Sequence, residues 1–154
     1  MKIFITGGGT GGHFYPLIAV VDALQEEAEK QKIAVMNITY LADAPYNEDV
    51  LLRYRVNFKH ISAGKMRRYF SLKNVTDMFK TIMGLVKAVW AIYLDYPDVV
   101  FSKGGYASFP TVFACWVLRI PLVIHESDTV PGKVNKWAGK FAEKIAISYP
   151  QTAE

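Results

Sequence analysis

The sequence predicts an α/β protein built on a doubly wound parallel sheet. Short apolar runs rich in β-branched residues alternate with longer segments of helical periodicity through all 154 residues. Glycine pairs or clusters follow two of those runs, and a polar run follows a third. Alternation of this kind produces parallel strands joined by right-handed helical crossovers. The length suits one domain with a substantial core.

The expected elements alternate in chain order. Strands are expected at residues 2–6, 35–41, 56–61, 98–102, 122–125 and 144–148, where apolar residues follow one another in short runs. Helices are expected at residues 15–29, 48–54, 72–94, 111–118 and 133–141, where apolar residues recur every three or four positions. Pro97 ends the longest helix. We expect one domain over residues 1–148, with residues 149–154 beginning a linker or tail.

The first predicted strand runs directly into a glycine loop. Five of the residues 7–12 are glycines, Thr10 is the exception, and His13 follows. Glycine lets backbone N–H groups approach a ligand closely, and the N-terminus of a helix attracts an anion. The stretch therefore predicts an anion site. The lysine and Ser/Thr of a Walker A loop are missing, so an ATPase of that type is not expected.

Glycine spacing leaves one alternative open. Gly7, Gly9 and Gly12 match the pattern of dinucleotide-binding folds, and Asp43 is an acidic residue after the second strand. Asp43 comes later than the roughly 20 residues expected after such a motif. A dinucleotide-dependent oxidoreductase also leaves the later polar loops unexplained.

Two further loops are expected beside the first. Lys103, Gly104, Gly105 and Tyr106 follow the fourth strand, and His125, Glu126, Ser127 and Asp128 end the fifth. Ligands of doubly wound sheets bind beyond the carboxyl ends of the strands. The three loops therefore predict one ligand site at that edge of the sheet.

Composition limits the classes of function. The net charge of +4 and pI of about 9.1 are modest, so they matter only where basic residues cluster, and no nucleic-acid-binding module is recognisable. The single cysteine, Cys115, lies in an apolar run and is expected to be a buried hydrophobic residue. No segment is long and apolar enough to predict a membrane span.

Several motifs of this chain resemble those of the MurG family of glycosyltransferases and follow one another in the same order. They are Gly-Gly-Thr-Gly-Gly-His at 8–13, Pro-Asp-Val-Val at 97–100, Gly-Gly-Tyr at 104–106, Ile-Pro-Leu-Val-Ile-His-Glu at 120–126, Pro131-Gly132 and Asn135-Lys136. The resemblance implies the Rossmann-like amino-terminal half of an inverting GT-B enzyme of peptidoglycan synthesis. That family transfers N-acetylglucosamine from UDP-N-acetylglucosamine to lipid I, giving lipid II. Its carboxy-terminal domain, which holds most donor contacts, is not in this chain.

The resemblance also implies a set of substrate-binding residues. These residues are Thr10, Gly11 and Gly12 in the first glycine loop, Gly104, Gly105 and Tyr106 in the second, and Asp128. Neither a cofactor nor a metal is expected. The family commonly has His-Glu-Gln-Asn where this chain has His125-Glu126-Ser127-Asp128. An amide donates a hydrogen bond and an ionised carboxylate does not, so Asp128 alters the expected donor contact.

Inverting transfer needs a base for the acceptor hydroxyl and stabilisation of the departing diphosphate. His13 is the first candidate base because a helix N-terminus disfavours imidazolium; the alternative is that it only hydrogen-bonds the loop or acceptor. Glu126 is the second candidate, with orientation of the glycine loops as its alternative. His125 is expected to be structural. Lys103 is either a diphosphate contact or a solvated lysine.

Residues 65–90 combine basic and apolar side chains. We expect contact with an anionic membrane surface through Lys65, Arg67, Arg68, Tyr69, Phe70 and Lys73. The apolar residues Phe79, Ile82, Met83, Val86, Val89 and Trp90 recur at helical spacing and are expected mostly in the core. This predicts a peripheral protein at the cytoplasmic face of the membrane. A membrane-docking subunit of a split glycosyltransferase, with the donor domain on another chain, is the second alternative.

Overall fold

The computed structural model describes residues 1–8, 10–64 and 73–153. Its six strands are β1 (Lys2–Thr6), β2 (Asn37–Ala42), β3 (Asn57–His60), β4 (Val99–Ser102), β5 (Leu122–Glu126) and β6 (Lys144–Ile147). All neighbouring strands are parallel, in the order β3-β2-β1-β4-β5-β6. This is the predicted doubly wound sheet, whose order reverses direction at β1.

Five helices connect the strands of the sheet. They are α1 (Gly11–Lys30), α2 (Glu48–Arg53), α3 (Lys73–Asp95), α4 (Phe109–Leu118) and α5 (Lys133–Ala138). Single 3-10 turns lie at Tyr106–Ser108 and Pro150–Ala153. Pro110 fits inside the first turn of α4, where its missing N–H removes no helical hydrogen bond. Most predicted boundaries agree with the structure to within about two residues, the usual uncertainty of helix and strand ends.

The start of α1 is the largest difference from the predicted boundaries. The helix was expected from residue 15, but it begins at Gly11, with Thr10 as the N-cap residue. Glycines carry no apolar periodicity, so the sequence pattern misses a first turn that contains two of them. As a result, Gly11, Gly12 and His13 form the first turn of α1, and Pro16 lies inside the helix.

Each face of the sheet carries its own hydrophobic core. Ile3 and Ile5 of β1 pack with α1 residues on one face, whereas Phe4 packs with α3 and α4 residues on the other. Alternating side chains of a strand point to opposite faces, so a strand covered on both sides is apolar throughout. Cys115 is buried in the second of these cores, as predicted.

The prediction for the apolar residues of α3 is wrong. Phe79, Ile82, Met83, Val86 and Trp90 are all exposed, and only Val89 is partly buried. The buried face of α3 instead carries small or slender residues, Gly84, Ala88 and Ile92. A Cβ on Gly84 would lie 1.7 Å from the carbonyl oxygen of Ser62, so close packing selects glycine there. The larger apolar side chains consequently face outward.

The predicted membrane contacts Lys65, Arg67, Arg68, Tyr69 and Phe70 lie outside the described residues, as does the side chain of Lys73. Within the described part of the chain, no helix is both long enough and apolar enough to cross a bilayer.

Candidate functional site

The three predicted loops do meet at the carboxyl edge of the sheet. β4 lies between β1 and β5, with Thr6 paired to Ser102 and Ser102 paired to Ile124. The residues that follow these positions therefore leave the sheet side by side. The chain brings the first glycine loop, the second glycine loop and the β5–α5 loop together as the sequence predicts.

His13 lies in the first turn of α1 and reaches towards the second glycine loop. The carbonyl oxygen of Thr10 accepts hydrogen bonds from the backbone N–H groups of His13 and Phe14, both at 3.1 Å. Thr10 Oγ1 lies 2.9 Å from His13 Nδ1. A Cβ on Gly105 would lie 3.2 Å from His13 Nε2, so the imidazole edge rests against that glycine. The backbone and Thr10 thus fix both the place and the orientation of the ring.

The surroundings of His13 favour its neutral form. Burial lowers its pKa below the ordinary value of 6.5, and the charge of Lys103 lowers it further. Asp128 and Glu126 act in the opposite direction with smaller effect. A neutral imidazole whose Nδ1 proton is donated to Thr10 has an unprotonated Nε2, which can accept a proton.

The second glycine loop requires glycine at two consecutive positions. Gly104 and Gly105 have φ angles of 83° and 86°, in the left-handed region. A Cβ on Gly104 would also lie 2.7 Å from both terminal atoms of the Asn135 side chain. The loop is held by a hydrogen bond from Gly104 N–H to Ser102 Oγ at 3.1 Å and one from Ser108 Oγ to the Gly105 carbonyl at 2.8 Å. Tyr106 follows at the start of a 3-10 turn.

Glu126 is buried and holds the β5–α5 loop. Its Oε1 accepts hydrogen bonds from the N–H groups of Ser127 at 2.9 Å and Asp128 at 3.1 Å. Its Oε2 accepts from Gly132 N–H at 2.9 Å and Asn135 Nδ2 at 3.1 Å. Burial raises the pKa of Glu126, but these four hydrogen bonds outweigh burial and lower it overall. The carboxylate is ionised, and its acceptor positions are occupied by the protein.

Asn135 joins this network, a role that the sequence pattern does not predict. It is buried, and its Nδ2 also donates to the carbonyl oxygen of His125 at 3.1 Å. The amide thereby ties α5 to the end of β5 and packs against Gly104. Two features of the sequence could have indicated this role. Asn135 is a polar residue on the inward face of α5, and it belongs to the Asn135-Lys136 motif that resembles the MurG family.

The remaining residues of the β5–α5 loop differ in exposure. Asp128 is exposed, and its carbonyl oxygen accepts a hydrogen bond from Thr152 Oγ1 at 2.9 Å. His125 is half-buried, with Nε2 3.3 Å from Ser148 Oγ, which agrees with a structural role. Burial and the charge of Lys103 lower the pKa of His125.

Lys103 is not a solvated lysine at a loop edge. Only 3% of its surface is exposed, and its Nζ donates a hydrogen bond to Ser127 Oγ at 2.9 Å. The ammonium therefore lies inside the site, between the end of β4 and the β5–α5 loop. The sequence alone could not show that Lys103 is buried, because a lysine that follows a strand can lie in an exposed turn as readily as in a ligand site.

Aromatic residues pack on the β2 side of the first glycine loop. The buried Tyr40 donates a hydrogen bond from its hydroxyl to the Gly7 carbonyl at 2.8 Å, and burial raises the pKa of Tyr40 to about 12. A Cβ on Gly11 would lie 2.8 Å from Tyr46 Oη. Asp43, the acidic residue of the dinucleotide alternative, instead lies 3.6 Å from His60 Nε2.

This geometry agrees with a match to a known family. The glycosyltransferase family 28 N-terminal domain matches residues 3–147. The chain belongs to this family. Membership in family 28 accounts for all three converging loops, and the dinucleotide-binding oxidoreductase and split-enzyme alternatives are not favoured.

Two curated relatives of this family 28 domain carry the same name. UDP-N-acetylglucosamine–N-acetylmuramyl-(pentapeptide) pyrophosphoryl-undecaprenol N-acetylglucosamine transferases from Clostridium kluyveri and Legionella pneumophila are 36% and 40% identical to it. The alignments cover 99% and 96% of this chain but 42% and 39% of those relatives. The chain thus spans about two fifths of their length.

Solved structures give the same picture of the fold. The crystal structure of Acinetobacter baumannii MurG matches with a TM-score of 0.77 at 25% identity, over 98% of this chain and 42% of that one. A UDP-GlcNAc 2-epimerase from Methanocaldococcus jannaschii matches with a TM-score of 0.67 at 13% identity, covering 99% of this chain and 40% of that one. At that identity the second match supports the fold alone.

Proposed function

We propose that this chain is the acceptor-binding half of an inverting glycosyltransferase. The enzyme transfers N-acetylglucosamine from UDP-N-acetylglucosamine to lipid I, giving lipid II for peptidoglycan synthesis. The observation that carries the proposal is the convergence of His13, two glycine loops and the β5–α5 loop at one sheet edge, in a family 28 domain. A carboxy-terminal donor domain supplies the other wall of the cleft.

His13 is the proposed base. Its Nδ1 lies 2.9 Å from Thr10 Oγ1, and its lowered pKa favours the neutral ring. In the proposed tautomer Nδ1 donates to Thr10, so Nε2 is free to accept a proton. As the acceptor hydroxyl attacks C1 of the donor sugar, the hydroxyl proton passes to Nε2 and the C1–oxygen bond to UDP breaks. Thr10, Gly11 and Gly12 at the N-terminus of α1 offer N–H groups to a substrate phosphate. Gly104, Gly105 and Tyr106 form the opposite side of the acceptor site.

Glu126 is proposed as a positioning residue and not as the base. Four hydrogen bonds already use its two oxygens, so a substrate hydroxyl would have to displace one of its present donors. Its contribution is to hold Asp128 and the β5–α5 loop against the second glycine loop. Asp128 is then placed to accept a hydrogen bond from a hydroxyl group of the donor.

The exposed apolar face of α3 is the proposed membrane-contacting surface. Met78, Phe79, Ile82, Met83, Val86 and Trp90 are each about half or more exposed, and Lys80 and Lys87 lie among them. Contiguous apolar residues with basic neighbours suit shallow insertion among anionic headgroups. The predicted contacts Lys65, Arg67, Arg68, Tyr69, Phe70 and Lys73 precede this face in the sequence. The lipid-linked acceptor would thus reach the site from the cytoplasmic face of the membrane.

A binding titration tests the proposal. We expect the chain to bind a soluble lipid I analogue, to bind UDP-N-acetylglucosamine weakly without the donor domain, and not to bind NAD. His13→Ala should leave acceptor binding within a few fold, and should abolish transfer once a donor domain completes the enzyme. Tight NAD binding that is lost in Gly12→Val would refute the proposal. Turnover by this chain alone would refute the requirement for a second domain.

A further inference from the structure

Lys103 occupies an unusual position for a lysine. Only 3% of its surface is exposed, and it follows β4 directly. A Cβ on Gly7 would lie 2.9 Å from Lys103 Cβ, so the start of this side chain touches the first glycine loop. Its Nζ is 2.9 Å from Ser127 Oγ in the β5–α5 loop. The lysine therefore connects two of the three loops of the site.

In the described part of the chain, the buried ammonium of Lys103 lies without an ion-pair partner. The buried carboxylate nearest in sequence to Ser127 is Glu126, and its oxygens already accept four hydrogen bonds. Taking a charge out of water is costly unless a counter-ion is present. The positive end of α1 beside the same loop raises this cost further.

We propose that Lys103 is a phosphate-binding residue, whose ammonium, held by Ser127, neutralises the phosphate of a substrate bound against the first glycine loop. The identity of that substrate rests on the function proposed above. A diphosphate occurs both in a nucleotide sugar and in a lipid-linked acceptor, and either provides the missing anion.

The position of Lys103 has a second, measurable effect at His13. Among the described residues, the Thr10 hydroxyl contacts this imidazole, and the charges of Lys103, Asp128 and Glu126 act on it. Lys103 is the one cation among them, and its charge lowers the pKa of His13. Replacing Lys103 by a neutral side chain should therefore raise the pKa of His13. Such a shift would show that the ammonium lies beside the imidazole, and the binding measurements below test what the ammonium does there.

The test uses inorganic pyrophosphate as the probe and calorimetry as the measurement. Lys103→Met removes the ammonium but keeps an unbranched side chain, and we expect pyrophosphate affinity to fall about tenfold or more, as for loss of one charged hydrogen bond. Lys140→Met is the matched control, since Lys140 is exposed and follows α5. It changes the net charge equally and should bind pyrophosphate as the original chain does. Equal affinity in the two variants would overturn the proposal.

Stability separates a binding role from a structural one. Replacing a buried, unpaired charge by an apolar group is commonly neutral or stabilising. We therefore expect the thermal unfolding midpoint of Lys103→Met to equal or exceed that of the original chain. Ser127→Ala, which keeps the ammonium but removes its anchor, should weaken pyrophosphate binding less than Lys103→Met does. A lowered midpoint in Lys103→Met together with an unchanged pyrophosphate affinity would contradict the proposal.

Two further ligands identify the source of the phosphate. UDP-N-acetylglucosamine and a soluble short-chain polyprenyl diphosphate are titrated into the original chain and Lys103→Met. The ligand whose affinity falls in the variant is the one that Lys103 contacts. Binding of pyrophosphate that depends on Lys103, without binding of either larger ligand, would support this inference and reject the proposed function. Absence of pyrophosphate binding to the original chain would reject the inference.

Discussion

Asn135 donates a hydrogen bond from Nδ2 to Glu126 Oε2 at 3.1 Å, and the same nitrogen donates to the backbone carbonyl of His125 at 3.1 Å. One buried amide thus fastens α5 to the end of β5. Its other face fills the space beside Gly104, where a Cβ would lie 2.7 Å from the amide. The shape of the second glycine loop therefore depends on a side chain about thirty residues further along the chain.

Asn135→Ala should destabilise the domain by about 1–3 kcal/mol, because it leaves the buried Glu126 carboxylate with one donor fewer and opens a space beside Gly104. Urea unfolding followed by circular dichroism measures the effect. Asn57→Ala is the control, since Asn57 is exposed at the start of β3. Equal stability of the Asn135→Ala and Asn57→Ala variants would show that the network contributes nothing.

Glu126→Gln should destabilise the domain in a pH-dependent manner. Glutamine places an amide NH2 against backbone N–H donors, so we expect a loss of about 1–3 kcal/mol at neutral pH. The folded-state pKa of Glu126 lies below its ordinary value of 4.5. Its stabilising contribution is therefore complete above that value and is lost as the pH falls through the folded-state pKa.

Unfolding free energies at neutral pH and at about pH 3 check this prediction. The difference between the original chain and Glu126→Gln should shrink at the lower pH. Glu143→Gln, at an exposed position, should differ little from the original chain at either pH. If Glu126→Gln lowered the free energy of unfolding equally at both pH values, the ionised carboxylate would not be the stabilising form.

The sheet and the meeting of its loops could be predicted because both follow from local pattern. Apolar runs and helical spacing determine the alternation, and parallel strands place the ends of β1, β4 and β5 on one edge. The burial of Lys103 could not be predicted, since it depends on Ser127, which the sequence separates from it by a helix and a strand. The role of Asn135 was hidden for the same reason.

Helix α3 shows a different limit of sequence reasoning. Its apolar spacing predicts a buried face correctly, but not which face. Large apolar residues are usually buried, so the pattern favours the larger residues of α3 for the core. Close approach of the Ser62 carbonyl at Gly84 instead requires small residues on the inward face. Steric fit between separate segments decides this orientation, and periodicity carries no information about it.

Gly12→Ala should separate binding from stability. Among the described residues, a Cβ at Gly12 would meet only Thr10 Oγ1, at 3.8 Å, so the substitution fits the folded structure. Alanine is a better helix former than glycine, and the variant should be as stable as the original chain or more stable by about 0.5–1 kcal/mol. The methyl group nevertheless projects beside the N–H groups proposed to bind phosphate, so pyrophosphate affinity should fall.

Thermal unfolding and calorimetric titration of the same Gly12→Ala sample measure the two effects. Gly105→Ala provides the contrast, because its φ of 86° strains any other residue and its Cβ would crowd His13 Nε2. That variant should lose both stability and binding. Undiminished pyrophosphate affinity in Gly12→Ala would exclude close approach of the ligand to the first turn of α1.

The exposed face of α3 should govern binding to membranes without supporting the fold. Phe79 and Trp90 are 61% and 62% exposed, so replacing both by serine removes little buried apolar area and should leave the unfolding midpoint nearly unchanged. Sedimentation with vesicles that contain anionic lipids should show at least severalfold weaker binding, because insertion scales with the apolar area available.

Leu52→Ser is the control: Leu52 is 76% exposed on α2, away from this face, and its loss should not alter vesicle binding. Ile92→Ser should do the opposite of the double variant, lowering the unfolding midpoint because Ile92 is fully buried against α4. Equal vesicle binding by the original chain and the Phe79→Ser, Trp90→Ser variant would remove α3 from the proposed membrane surface.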